Sequence, residues 1–187
     1  TATVTGGGAS RPVMAMSGSP AHALLVYEET KNSDGVDVGK YVRFHQFPFN
    51  APPEHEAGVI VSTPGENGRR ARVMAASSPG SAHGTRMVLM WRQGEGIQGA
   101  PADFMMRVGS VVPGTDLASI PNAGFRVEDL WPAVDPEDPL NNELALNISG
   151  TALDDPTSVD PLTNSKAHRA VLDGDFIYAA YVQDANV

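Results

Sequence analysis

His45 and His55 flank the proline-rich stretch FPFNAPPEHE, and Glu54 and Glu56 stand on either side of the second histidine. Imidazole and carboxylate together make a donor set for zinc or copper, and a thioether would extend it to Cu(I). No HxH or HxxxH spacing ties the histidines together; His22 and His83 lie elsewhere in the chain. Of the seven methionines, Met14, Met16, Met87, Met90, Met105 and Met106 sit in strand-like runs, where the simpler role of a thioether is to fill a core.

Oxygen ligands cluster twice. NSDGVD (32–37) sets Asp34 and Asp37 around a glycine, and DPEDPLNNE (135–143) does the same with more carboxylates. Calcium favours such groupings. Neither stretch follows the full EF-hand or nonapeptide pattern, and Asp-Gly is also a common turn dipeptide. His45, His55, Asp34 and Asp37 are therefore the metal candidates, for copper or calcium.

A third constellation would suit a sialidase-like glycoside hydrolase, in which arginines grip a carboxylate and a Tyr–Glu pair supplies the nucleophile. Arg11, Arg69, Arg70, Arg72, Tyr27 and Glu28 provide those residue types, but the S-x-D-x-G-x-T-W turn expected on such a scaffold is missing. The arginines could equally pair with neighbouring acids. No G-x-S-x-G elbow, Walker loop or H-E-x-x-H occurs, which removes serine hydrolase, nucleotide-binding and zincin readings. GGGAS (6–10) reads as a linker.

The elements that would carry these residues are short strands. The chain of 187 residues holds 19 Gly and 15 Pro, and at that density the two residues break a chain into brief segments joined by turns. RPVMAMS (11–17), a Gly-Ser-Pro turn and HALLVYEET (22–30) make a hairpin. YVRFHQF (41–47) alternates as a half-buried third strand, and 59–62 is a candidate fourth. ARVMAAS (71–77), TRMVLMWRQ (85–93) and DFMMRVG (103–109) follow the same order. HRAVLDGDFIYAAYVQD begins a third unit, with Asp173-Gly174 as its hairpin turn. Tyr27, Trp91 and Tyr181 fall at matching places in the second strand of each unit.

Antiparallel units recurring at about forty to sixty residues point to β-propeller blades, and a β-sandwich of two similar hairpins is the alternative. The expected fold is all-β: propeller-like antiparallel blades forming a partial ring. Its units span 11–62, 69–109 and 167–187, in one domain over 11–187. Residues 1–10 read as a linker or processed terminus. Residues 111–165, rich in Pro, Asp and Asn, read as a long acidic insertion, either a binding loop or a solvated decoration.

Composition narrows the partners. A hydrophobic fraction of 41% against 19% charged residues supports a folded core, and the absence of Cys removes disulfides and thiolate chemistry. A net charge of −9 repels phosphate backbones and anionic lipid. No apolar run approaches the length that spans a bilayer. Nucleic acid and membrane insertion are thus not expected.

The runs SRPVMAMSGSPAHALLVYEETK, GKYVRFHQFPFNAPP, PGENGRRARVMAAS, MVLMWRQG, GAPADFMMRVG and AHRAVLDGDFIYAAYV, in that order, resemble the bacterial surface-anchored or secreted proteins of the choice-of-anchor O group. The similarity runs from Ser10 onward and is least in the insertion. It implies export to the periplasm, cell surface or medium, and a repeated β architecture within a longer chain; it implies no activity. The sequence is therefore read as an exported binding or structural module without catalysis, a surface metal-binding protein and a glycosidase being the alternatives. Its expected partners are the remainder of a larger propeller or other protein chains, and a metal ion or a glycan.

Overall fold

The computed structural model describes residues 8–17, 22–30, 40–50, 58–63, 67–77, 85–94, 101–111, 130–150, 163–173 and 176–185. They form eleven strands and one 3-10 turn, so the all-β expectation holds. A four-stranded sheet runs in the order β1 (Ala9–Ser17), β2 (His22–Thr30), β3 (Lys40–Pro48) and β4 (Val59–Ile60). A second sheet is built on β5 (Gly68–Ser77), β6 (Thr85–Gly94) and β7 (Ala102–Val111), with β8 (Leu130–Trp131) and β9 (Leu146–Asn147) on the far edge of β7. The hairpin β10 (Thr163–Asp173) and β11 (Phe176–Ala185) joins that sheet through one parallel pair, Asn164 with Ala102. Neither sheet closes on itself among the described residues.

The strands follow from alternation. In β3, Val42 and Phe44 are buried while their neighbours are less so, the period of two that a pleated strand imposes. Leu24, Val26, Val42 and Phe44 of the first sheet meet Val73, Met87, Leu89, Trp91 and Met105 of the second in a common core. Trp91 is fully enclosed, and its indole N–H donates to Gln93 Oε1 at 3.0 Å, satisfying the polar end of a large apolar group. The opposite face of the second sheet carries Phe104, on which His168 of β10 and Tyr181 of β11 pack at ring distances of 4.4 and 5.6 Å. At the end of β6, Gly94 has φ of 127°, and a Cβ there would stand 2.4 Å from the Pro101 carbonyl, so the approach to β7 requires glycine.

One register irregularity recurs. In β1–β2 the pairing passes from Ser10–Glu28 to Val13–Val26, in β5–β6 from Arg69–Arg92 to Arg72–Met90, and in β10–β11 from Lys166–Val182 to Arg169–Ala180. Each is a bulge of two residues against one. The single residue opposite is Tyr27, Trp91 or Tyr181.

Two sequence expectations change. The first strand starts at Ala9, and the Gly8 carbonyl accepts from Thr30 N at 3.3 Å, so residues 8–10 belong to the sheet and not to a linker. The stretch read as an insertion is partly sheet. Asn147 and Leu146 pair with Met105 and Met106 as Ile60 and Val59 pair with Arg43 and Phe44. Ser149 Oγ then accepts Phe104 N at 2.8 Å, as Ser62 Oγ accepts Val42 N at 2.9 Å. Arg107 is the fastening: wholly buried, it donates to the carbonyls of Val61 (2.8 Å), Pro132 (2.6 Å), Ala133 (3.2 Å) and Glu143. Burial lowers its pKa to about 10, with Glu143 opposing the shift. Segment 130–150 thus docks on the second sheet because backbone carbonyls solvate a cation that the core could not otherwise hold.

Candidate anion-binding cleft

The bulges bring β1, β5 and β10 to one cleft. Bulge residues Arg11, Pro12, Arg70, Ala71 and His168 line it together with Val13, Arg72 and Arg169, around a volume of about 370 Å³. Arg11 and Arg70 lie at φ of 51° and 54°, a left-handed conformation that costs a non-glycine residue on the order of 1 kcal/mol. Strained residues of this kind gather at functional sites.

Glu28 braces two of the lining residues. It is fully buried and accepts the Arg70 backbone N–H at 2.7 Å, while Arg11 Nη1 approaches its oxygens at 3.3 and 3.4 Å and Lys40 Nζ at 3.5 Å. One carboxylate thus ties the first sheet to the bulge of the second. The guanidinium groups of Arg70 and Arg72 meet no carboxylate among the described residues, and Arg169 Nη1 donates to the His168 carbonyl at 2.9 Å. In a chain of net charge −9, this is a concentration of positive potential from separate strands.

His168 is 2% exposed, and its Nε2 is buried without a hydrogen-bond partner. Burial lowers its pKa to about 4, and Arg72, Arg169 and Arg70 push the same way, so the ring is neutral at neutral pH. An unsatisfied buried nitrogen costs about 1–3 kcal/mol, and such groups call for an explanation. Arg92 of β6 donates to the Ser165 carbonyl at 3.0 Å; its pKa is lowered by burial, then by Arg70 and Arg69.

Of the residues singled out in the sequence, Arg11, Arg70 and Arg72 converge here and Glu28 supports them. Arg69 does not line the cleft; its Nε donates to Asn67 Oδ1 at 3.3 Å. Tyr27 is not beside Glu28 in space: successive strand residues point to opposite faces, and the phenol oxygen accepts Gly58 N at 2.9 Å. The Tyr–Glu pair of the glycosidase reading is therefore not assembled. His45 lies half-buried on β3 with its ring edge-on to Phe47 at 5.6 Å. His55, Asp34 and Asp37, like Glu54 and Glu56, lie outside the described residues. No group of three or more His, Asp or Glu with metal-holding geometry occurs among the described residues. The acidic stretch 135–143 is a self-bonded turn: Asp135 Oδ1 accepts Glu137 N at 2.9 Å and Asp138 N at 3.0 Å, and Asp138 caps the 3-10 turn at Leu140 N. Its oxygens serve the loop.

Sequence reasoning missed His168 and Arg169. Their signal was the bulge, which shows in sequence only as a basic residue just before the apolar run in RPVM, RARVM and HRAVL. The lining offers guanidinium donors beside the apolar side chains of Pro12, Val13 and Ala71, which suits it to hold an anion. No family model, curated protein or solved structure matches the chain.

Proposed function

We propose that the chain is a propeller-type module of an exported bacterial protein, which binds an anionic ligand in this cleft without catalysis of its own. The observation that carries the reading is the convergence of Arg11, Arg70, Arg72 and Arg169 from three strands on one cleft of an acidic protein.

The propeller rests on recurrence. Three hairpins bulge opposite Tyr27, Trp91 and Tyr181, and two continue to fourth strands that end alike on Ser62 and Ser149. The faces stack in one sense. The first sheet turns Leu24 and Val26, not Tyr27, toward the Trp91 side of the second; the second turns Phe104 toward Tyr181 of the hairpin. Head-to-tail stacking of this kind is how blades surround an axis, and the bulged first strands would line it. The outer face of β10–β11 leaves Val171, Phe176, Tyr178 and Val182 more than half exposed, where a further blade would stack in this reading. Export follows from the resemblance to the choice-of-anchor O group.

Titrating the protein with sodium sulfate at low ionic strength by calorimetry tests the anion site. Saturable binding, weakened at least tenfold in R70A/R72A, is expected, because losing two charge-assisted contacts is worth about 1.5–3 kcal/mol each. No saturable heat, or an unchanged isotherm in the double variant, would remove the reading. Both side chains are exposed, so the variant should fold.

A further inference from the structure

Resting on the propeller part of the proposed function, we infer that the two outer faces of the stack bind each other across two copies of this chain, so that two stacks of three units close one ring. The bulges fix which positions correspond. Counting from Tyr27, Trp91 and Tyr181, Leu24 and Val26 of the first unit match Val88 and Met90 of the second and Tyr178 and Ala180 of the third. The first two pairs are covered. Leu24 and Val26 are buried in the core shared with the Trp91 side of the second sheet, and Val88 and Met90 are buried on the face of Phe104, on which Tyr181 packs. The third is bare: Tyr178 is 60% exposed, with Val171, Phe176 and Val182 exposed beside it.

At the other end of the stack the complementary face is bare as well. Val73 and Ala75, which enter the joint from the Trp91 side, match Met14 and Met16 of β1. Alternation turns these two away from the core that Val13 and Ala15 meet, and they stand 53% and 43% exposed. Each copy thus shows one face of each kind, and the joint formed twice within the chain can form again between chains. Three units are too few for a ring of about four to eight blades, whereas two copies supply about six. A head-to-tail contact between identical chains either closes or propagates, and a twofold axis closes this one.

Sedimentation velocity on the intact chain, on M14E, on Y178E and on an equimolar mixture of the two variants tests this. Both side chains are exposed, so both variants should keep the urea midpoint of the native chain. The native chain is expected as a dimer, and each variant alone, having damaged both joints of the ring, should dissociate at about a tenfold higher concentration or more. Mixing should restore part of the dimer, because the Met14 face of one variant then meets the Tyr178 face of the other in an intact joint. Such recovery requires two unlike faces. A native chain that is monomeric at every concentration overturns the self-docking and leaves the stack within the chain standing. A dimer indifferent to M14E, or one that mixing does not restore, means that like faces meet and overturns it too. Growth into ever longer oligomers with concentration overturns the closed ring, and with it the propeller, while the joint stands.

Discussion

His168 is where burial and charge compete most openly. Its ordinary pKa of 6.5 falls to about 4 in the folded chain, because the ring is enclosed and three arginines stand near it. Between those values the unfolded chain takes up a proton that the folded one refuses. Stability is therefore fully present above pH 6.5 and declines as pH drops toward 4, by an upper bound of about 3 kcal/mol. Asp135 adds to the loss further into acid, since backbone N–H groups of Asp138 and Glu137 hold its carboxyl below the usual range. Urea midpoints at pH 7, 5.5 and 4.5 should fall in order for the native chain, and H168Q should flatten most of the slope above pH 4.5. The neutral ring also explains why three arginines can crowd it: no fourth cation is added at neutral pH.

At the scale of elements, the short fourth strands depend on single hydroxyls. Ser62 Oγ satisfies Val42 N, and the adjacent Val61 N bonds the Val42 carbonyl at 2.9 Å; Ser149 Oγ and Ile148 N do the same for Phe104. Ser149 carries more, since its hydroxyl also donates to the buried Asp103 at 3.0 Å. S62A should cost about 1 kcal/mol and S149A about 2 kcal/mol, read from denaturant unfolding. The parallel was present in the sequence as VIVS and LNIS, but the second lay inside a proline-rich stretch whose composition reads as loop. Strands of two residues leave almost no periodicity to detect.

Across the whole molecule, the sheets are joined by an apolar core and by Glu28, whose carboxylate crosses from β2 to the Arg70 amide of β5. E28A removes the acceptor for that amide and the partner of Lys40, at an expected cost of about 2–3 kcal/mol, reduced by the exposure of Arg11. Because the same carboxylate holds the bulge, E28A should also weaken sulfate binding where S62A does not; calorimetry on both variants checks this. In the proposed anion site Glu28 would thus act by positioning the cleft, which it does not itself line.

The main strands, the hairpin order and the alignment of Tyr27, Trp91 and Tyr181 were legible in the residues themselves, because alternation and turn residues act over a few positions. The register was not. VMAMS at 13–17 and VMAAS at 73–77 are offset by sixty, whereas the bulges at Arg11 and Arg70 are offset by fifty-nine, so the matched letters are one position apart in the ladders. A shift of one residue moves a side chain to the other face of a strand. Because the first and second sheets meet through opposite faces, that slip is what lets Val13 and Val73 enter the same core. The arginine cleft has the same origin. Sequence determined that a basic residue precedes the apolar run within each first strand; only packing, by stacking bulged strands side by side, decided that the three strands would share one opening with His168 at its edge.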